Sequence, residues 1–224
     1  MSSDKGVPLV VTIDGPAASG KSSTATQVAD RLGIRHVDSG SLYRAVTAAR
    51  LRVGDAPDLW TEQSVLDVTG RVTIVPGEIT FEPRIDGAAC EAEIRGDAVT
   101  AVVSLVAKMP HVRSWVNATV KATSATHEIV VDGRDMGTAV FPAARLKIWL
   151  VALPEERARR RLLQRHGRAP TAAELEAETA ELERRDQRDR EQTQPATDAI
   201  WVDTTGISQD EQVGRIVVLA EERR

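Results

Sequence analysis

One cysteine, Cys90, occurs in 224 residues. No internal disulfide can form, and no cysteine-based metal site can be assembled. Aromatic residues supply only 3% of the chain, so its core has to be built from Val, Ile, Leu and Ala. The four histidines, His36, His111, His127 and His166, stand apart from one another and read as structural or surface residues. No basic tract is present and the net charge is −4. That argues against broad nucleic-acid or membrane binding, while leaving room for a local positive pocket. No run is long and apolar enough to cross a bilayer, and the opening MSSDKGV lacks the apolar stretch of a signal peptide. A cytoplasmic protein is expected, with neither nucleic acid nor membrane as partner. With 42% hydrophobic and 28% charged residues, the chain has the composition of a globular protein. Its length fits one α/β domain with an insertion, or two small domains.

Uniformly apolar runs at residues 9–13, 34–37, 128–131, 146–151 and 199–202 read as strands buried on both faces. Segments with helical spacing, at 21–32, 39–51, 98–107, 110–125 and 209–222, separate or follow them. Alternation of this kind predicts a parallel sheet covered on both faces. Between Gly54 and Ala98 the texture changes. Residues 71–75 and 78–82 alternate in polarity around Pro76-Gly77, which predicts a hairpin with one face in water. Residues 157–190 are rich in Arg, Glu and Ala, and read as helical, mobile and poorly able to bury themselves.

Two features carry chemistry. Gly15-Pro16-Ala17-Ala18-Ser19-Gly20-Lys21-Ser22, followed by Ser23, fits G-x-x-x-x-G-K-[ST] between a predicted strand and helix. Glycines let the loop's N–H groups converge on a phosphate, the positive end of the helix points there, Lys21 adds a full charge, and the Ser22 hydroxyl can ligate Mg²⁺. A nucleoside triphosphate site follows. The second feature is Asp132-Gly133-Arg134-Asp135-Met136-Gly137, charged residues at the end of a buried strand. Ligands of open parallel sheets sit at such strand ends, so this cluster and Asp38–Arg44 should face the phosphate loop. Asp132 can hold a water on Mg²⁺, or can simply cap a turn. Arg134 can fork onto a phosphate and Asp135 can accept from an amino group such as N4 of cytosine, or the two can pair with each other.

Beyond these single sites, the phosphate loop, "DSGSLYR", "VDGRDMGTAVFP", "LKIWL", "EERARRRLLQ" and "RRDQRDR" come in an order that resembles the bacterial cytidylate kinases, across nearly the whole chain. The resemblance implies an α/β P-loop NTPase core with a parallel five-stranded sheet flanked by helices, a small antiparallel β insert for the monophosphate, and a helical lid. Core residues would be 1–54, 99–156 and 195–224, insert residues 55–98 and lid residues 157–194. It also implies transfer of the γ-phosphoryl group of ATP to CMP or dCMP with Mg²⁺, by a monomer. On matching positions, Ser39, Ser104, Arg113 and Asp135 resemble the cytosine-side residues. Arg44 and Arg134 resemble the pair that grips the CMP phosphate. Arg185 and Asp189 resemble residues near the ribose, and Arg160 and Arg161 resemble lid arginines that reach the transferring phosphate. Lys21 and Arg134 join those two as the catalytic set. One departure is Gln192, where the family commonly has arginine. Rival readings are an adenylate or uridylate kinase, a nucleotide-operated regulatory protein and a small-metabolite kinase.

Overall fold

The computed structural model describes residues 8–190 and 193–224; Gln192 and the first seven residues lie outside them. In chain order the core begins with β1 (Val10–Asp14), α1 (Lys21–Leu32), β2 (Arg35–Asp38) and α2 (Ser39–Leu51). There follow α3 (Glu62–Leu66), β3 (Val72–Pro76), β4 (Phe81–Ile85), β5 (Ala88–Ala89), α4 (Glu91–Arg95), α5 (Asp97–Val106) and α6 (Pro110–Thr123). The chain continues through β6 (Ile129–Asp132), β7 (Leu146–Val151), α7 (Pro154–His166), α8 (Ala172–Asp189), β8 (Ile200–Asp203) and α9 (Gln209–Glu221).

Five strands form one parallel sheet in the order β2-β6-β1-β7-β8. Side chains alternate across it, as the two-residue period of a strand requires. Ile129 and Val131 pack with Leu42, Val46, Val116 and Val120 on the face covered by α2 and α6. Val130, between them, packs with Val11, Ile13, Val28, Val213 and Ile216 on the face covered by α1 and α9. Burial on both faces is why these strands lack polar alternation. Register aligns the strand ends: Ile13 pairs with Asp132, and Asp132 with Asp38. The three polar segments that follow β1, β2 and β6 therefore emerge side by side, as the carboxyl-end rule predicts.

The antiparallel sheet β3-β4-β5 comes from the segment with alternating polarity. Its turn differs from expectation. The second strand covers Phe81–Ile85 rather than 78–82, and the turn is closed by the Gly77 N–H donating to the Thr80 carbonyl at 3.0 Å. Ile79 gave residues 78–82 their strand-like pattern, but it serves the main core. Its carbonyl accepts from the His36 N–H at 2.8 Å and its side chain packs beside the α1–α9 face.

A second difference is in the charged segment. Helices α7 and α8 pack against each other, and they bury Ala158 and Leu182 against Ala17 of the phosphate loop. Arg157 is only 3% exposed, because its guanidinium donates to the carbonyls of Ala17 and Ala152 and to Asp186. The expectation of a segment unable to bury itself is thus corrected. A few small apolar residues and one multiply bonded arginine anchor it.

Candidate active site

The phosphate loop has the geometry its residues allow. Gly15 has φ of 153°, and a Cβ there would stand 2.2 Å from the Leu150 carbonyl oxygen, so no other residue fits against β7. Ala18 and Gly20 have positive φ, and α1 starts directly afterwards with no acidic residue in its first turn. Its positive end is left for an external anion. Lys21 folds back so that Nζ donates to the Pro16 carbonyl at 2.7 Å. Burial first, then the neighbouring Arg134, bring the Lys21 ammonium down to about 8. The Ser19 hydroxyl is buried with no protein partner.

Asp132 is the hub of the site's centre. Its Oδ2 accepts from the Ser22 hydroxyl at 2.7 Å and its Oδ1 lies 2.7 Å from His36 Nε2. Burial raises the Asp132 carboxyl, but hydrogen bonds from His36 and Ser22 and the Lys21 ammonium outweigh this, and the net direction is down. Asp132 is therefore an anion, and His36 must donate to it. A hydroxyl beside a buried carboxylate is an all-oxygen donor pair, which fits Mg²⁺; such an ion takes few protein ligands and completes its shell with waters and nucleotide phosphates. Among the described residues no cluster of three or more His, Cys, Asp or Glu offers a separate metal site.

Arg134 and Asp135 do not pair with each other. Arg134 donates to Asp189 of α8, and Asp135 accepts from Arg113 of α6. Burial raises the Asp135 carboxyl, with Arg113 opposing. Ser39 donates to the Asp132 carbonyl at 2.8 Å, and Arg44 donates to the Ile94 carbonyl and the Thr100 hydroxyl, each at 3.0 Å. The cleft, about 260 Å³, is lined by Lys21, Ser22, Ser39, Arg44, Ser104, Asp132, Arg134, Asp135, Arg185, Arg188 and Asp189. Lys21 and Ser22 of the phosphate loop thus share one cavity with Ser39, Arg44, Ser104, Asp132, Arg134, Asp135, Arg185 and Asp189, and Arg113 holds Asp135.

Arg160 and Arg161 are exceptions. Arg160 is fastened to the Thr204 hydroxyl at 2.9 Å, the Thr204 carbonyl at 2.6 Å and Glu156 at 2.9 Å. Arg161 pairs with Glu178 of α8 at 3.1 Å. Neither lines the cleft. Matching positions to a family cannot tell which arginine of α7 finds a partner within the chain, and Thr204 captures Arg160. Arg188 of α8 lines the cleft instead.

Sequence reading missed Asp14, the last residue of β1. Its carboxylate accepts from the backbone N–H groups of Met136 at 2.9 Å and Gly137 at 2.7 Å, and so orients the turn that carries Arg134 and Asp135. Burial is the main cause that raises Asp14 to about 6. Gly137 sits so close that a Cβ would stand 2.8 Å from Thr12 Oγ1. An acid immediately before the first glycine of the phosphate loop was the available signal. The unanticipated single π-turn at Met136–Val140 is another product of this clamp.

Comparison with known proteins agrees with the site. The cytidylate kinase family model matches residues 11–222. A cytidylate kinase of Geobacillus kaustophilus is 41% identical, covering 96% of this chain and 97% of its own. One of Thermus thermophilus is 43% identical, covering 96% and 99%. The solved structure of an uncharacterized protein from Eubacterium ventriosum has a TM-score of 0.50 at 10% identity over 96% of this chain and 99% of its own, a likeness of fold alone. A match that runs through the phosphate loop, the Asp132–Gly137 cluster and both sheets places this chain in the cytidylate kinase family.

Proposed function

We propose that this chain transfers the γ-phosphoryl group of ATP to CMP or dCMP, giving ADP and CDP or dCDP. The observation that carries this reading is the composition of the single cleft. Lys21 and Ser22 stand at one end, Asp135 at the other, and Arg134 and Arg185 line the same space.

The nucleophile in such a reaction is itself a phosphate oxygen. A phosphate monoester loses its second proton near pH ~6, so it is mostly dianionic at pH 7 and needs no general base. The task left to the protein is to bring two polyanions together in line while charge spreads over the moving group. Lys21 and Arg134 face that charge. Ser22 would hold Mg²⁺ directly and Asp132 through a water; the ion, bound with the triphosphate, would add neutralising charge. The buried Ser19 hydroxyl gains an acceptor when a phosphate enters the loop. Residues 55–98 then serve the monophosphate. Residues 157–194 serve as the lid, which excludes water from the transfer, with Arg185 and Arg188 its arginines on the cleft.

Asp135 decides the base. Arg113 occupies its Oδ2 and fixes the carboxylate, and a carboxylate accepts from the amino group of cytosine. Uracil presents a carbonyl at that position, so acceptor meets acceptor. A buried mismatch of this kind costs ~1–3 kcal/mol, or ~10- to 100-fold in kcat/KM. The test is ADP release from Mg²⁺-ATP with CMP, dCMP, UMP, AMP and shikimate. CMP and dCMP should lead. Equal kcat/KM for UMP and CMP, or turnover with shikimate alone, would overturn the assignment.

A further inference from the structure

We propose that His36 is a positioning residue for the metal-side pair Ser22–Asp132, coupling it to the turn of the β insert. This rests on the nucleotide-site reading above, but not on the identity of the acceptor. The geometry has three parts. His36 Nε2 lies 2.7 Å from Asp132 Oδ1, while Asp132 Oδ2 accepts from Ser22 at 2.7 Å. A carboxylate with one partner on each oxygen cannot swing about its bond to Cβ without losing one of them, so the donor at Oδ1 fixes where Oδ2 points. The two side chains are 3% and 5% exposed.

The other ring nitrogen sets the tautomer. Nδ1 is 3.2 Å from the hydroxyls of both Thr26 and Thr80. Thr26 also donates to the Ser22 carbonyl at 2.8 Å, which leaves Thr80 as the hydroxyl free to donate to Nδ1. With Nδ1 accepting, the proton is held at Nε2, facing Asp132. Thr80 belongs to the turn between β3 and β4, and the His36 N–H donates to Ile79 of the same turn at 2.8 Å. The imidazole is thus gripped by the insert through backbone and side chain, and it grips the carboxylate in turn. A partner behind a metal-side carboxylate acts through orientation, and its removal typically lowers metal affinity ~10- to 100-fold.

The experiment is a binding cycle with ADP, measured by titration calorimetry in Mg²⁺ and in chelator, on the wild type, His36→Phe and His36→Gln. Phe keeps the ring volume without a donor; Gln keeps an N–H donor. Expected is a loss of ~10-fold in the Mg²⁺-dependent gain of ADP affinity for His36→Phe, with chelator affinity unchanged. His36→Gln should recover most of the gain, and in turnover His36→Phe should lower kcat while KM for CMP stays. The proposal fails if His36→Phe keeps the full Mg²⁺-dependent gain, if it loses affinity equally in chelator, or if Gln does not rescue. If the Phe variant does not fold, the wild type decides. Nitrogen-15 spectra of labelled histidine should show His36 protonated at Nε2, with a shift on adding Mg²⁺-ADP that ADP in chelator does not produce. A proton on Nδ1 alone, or no difference between the two additions, overturns the role. Failure of the wild type to phosphorylate CMP would sink the proposed reaction and leave this cycle interpretable.

Discussion

Replacing Asp14 with Asn separates two effects that the structure superimposes. The carboxylate of Asp14 accepts one backbone N–H on each oxygen, from Met136 and Gly137. Asn keeps the shape but turns one acceptor into a donor, so one of those N–H groups meets an N–H. The lost bond and buried conflict cost ~1–3 kcal/mol. Against this stands the burial of a charge. Asp14 is raised from 3.8 to about 6, roughly two units at ~1.36 kcal/mol each, or about 3 kcal/mol. The sign follows from linkage: a carboxyl raised on folding contributes stability below its unfolded value, and that contribution is lost as pH rises through 6. Asn has no such dependence. The stability of Asp14→Asn relative to the wild type should therefore improve by about 3 kcal/mol between pH 3.5 and pH 7, read as urea midpoints at constant slope. Activity should move the other way, because the turn carrying Arg134 and Asp135 loses one of its two anchors; kcat/KM for CMP at pH 7.5 should fall at least ~10-fold. A stability difference that stays flat with pH would refute the buried charge. Wild-type kcat/KM would refute the claim that Asp14 aims the turn.

Three further outcomes follow from the same geometry. Lys21, lowered to about 8, binds phosphates only as the ammonium, so ATP affinity should weaken as pH rises past 8 and binding at pH 8.5 should take up a proton, detectable by calorimetry in buffers of different ionisation enthalpy; its folded value lies below the unfolded one, so unfolding free energy from this group rises between pH 8 and 10.5. Gly15→Ala should abolish ATP binding in a fluorescent-nucleotide assay, since its Cβ would stand 2.2 Å from a backbone oxygen of β7 that cannot retreat without moving the sheet. Arg134→Ala should lower turnover ~10³-fold, whereas Arg160→Ala, whose guanidinium is spent on Thr204 and Glu156, should lower it less than ~10-fold and instead reduce thermal stability.

The parts of this molecule that were legible in its sequence are those where one physical requirement dominates. Strands buried on both faces must be apolar throughout, and the five of the main sheet were found within a residue or two. The phosphate loop needs glycine at 15 and 20 and lysine at 21, whatever surrounds it. Illegible parts depend on what a residue meets across the fold. Ile79 looks like a strand position until β2 is placed beside it. Arg160 and Arg161 differ by one residue on a helix, and only the carbonyl of Thr204 and the carboxylate of Glu178 decide where each goes. Asp14 is marked only by its place before Gly15, and His36 has no signature of its own. They act on the turn after β6 and on the carboxylate that ends β6, more than ninety residues downstream.

The pairing of the cleft's charges shows how its partly buried arginines stand together without a ligand. Lys21, Arg134 and Arg185 repel one another: Arg185 is lowered by burial and then by Arg134, as Lys21 is. Left unpaired, such a cluster of partly buried like charges would oppose folding. Asp189 meets Arg134 and lies 3.7 Å from Arg185, and Asp135 meets Arg113, each carboxylate standing where a guanidinium would otherwise be bare. The two acids differ in what holds them. Asp135 is set in the turn clamped by Asp14, while Asp189 is the last residue of α8. An anion entering between Lys21 and Arg134 therefore competes with the carboxylate of Asp189, on α8. Electrostatic repulsion stored among three cations becomes affinity for a polyanion, and the exchange of Asp189 for phosphate ties that affinity to the position of α8.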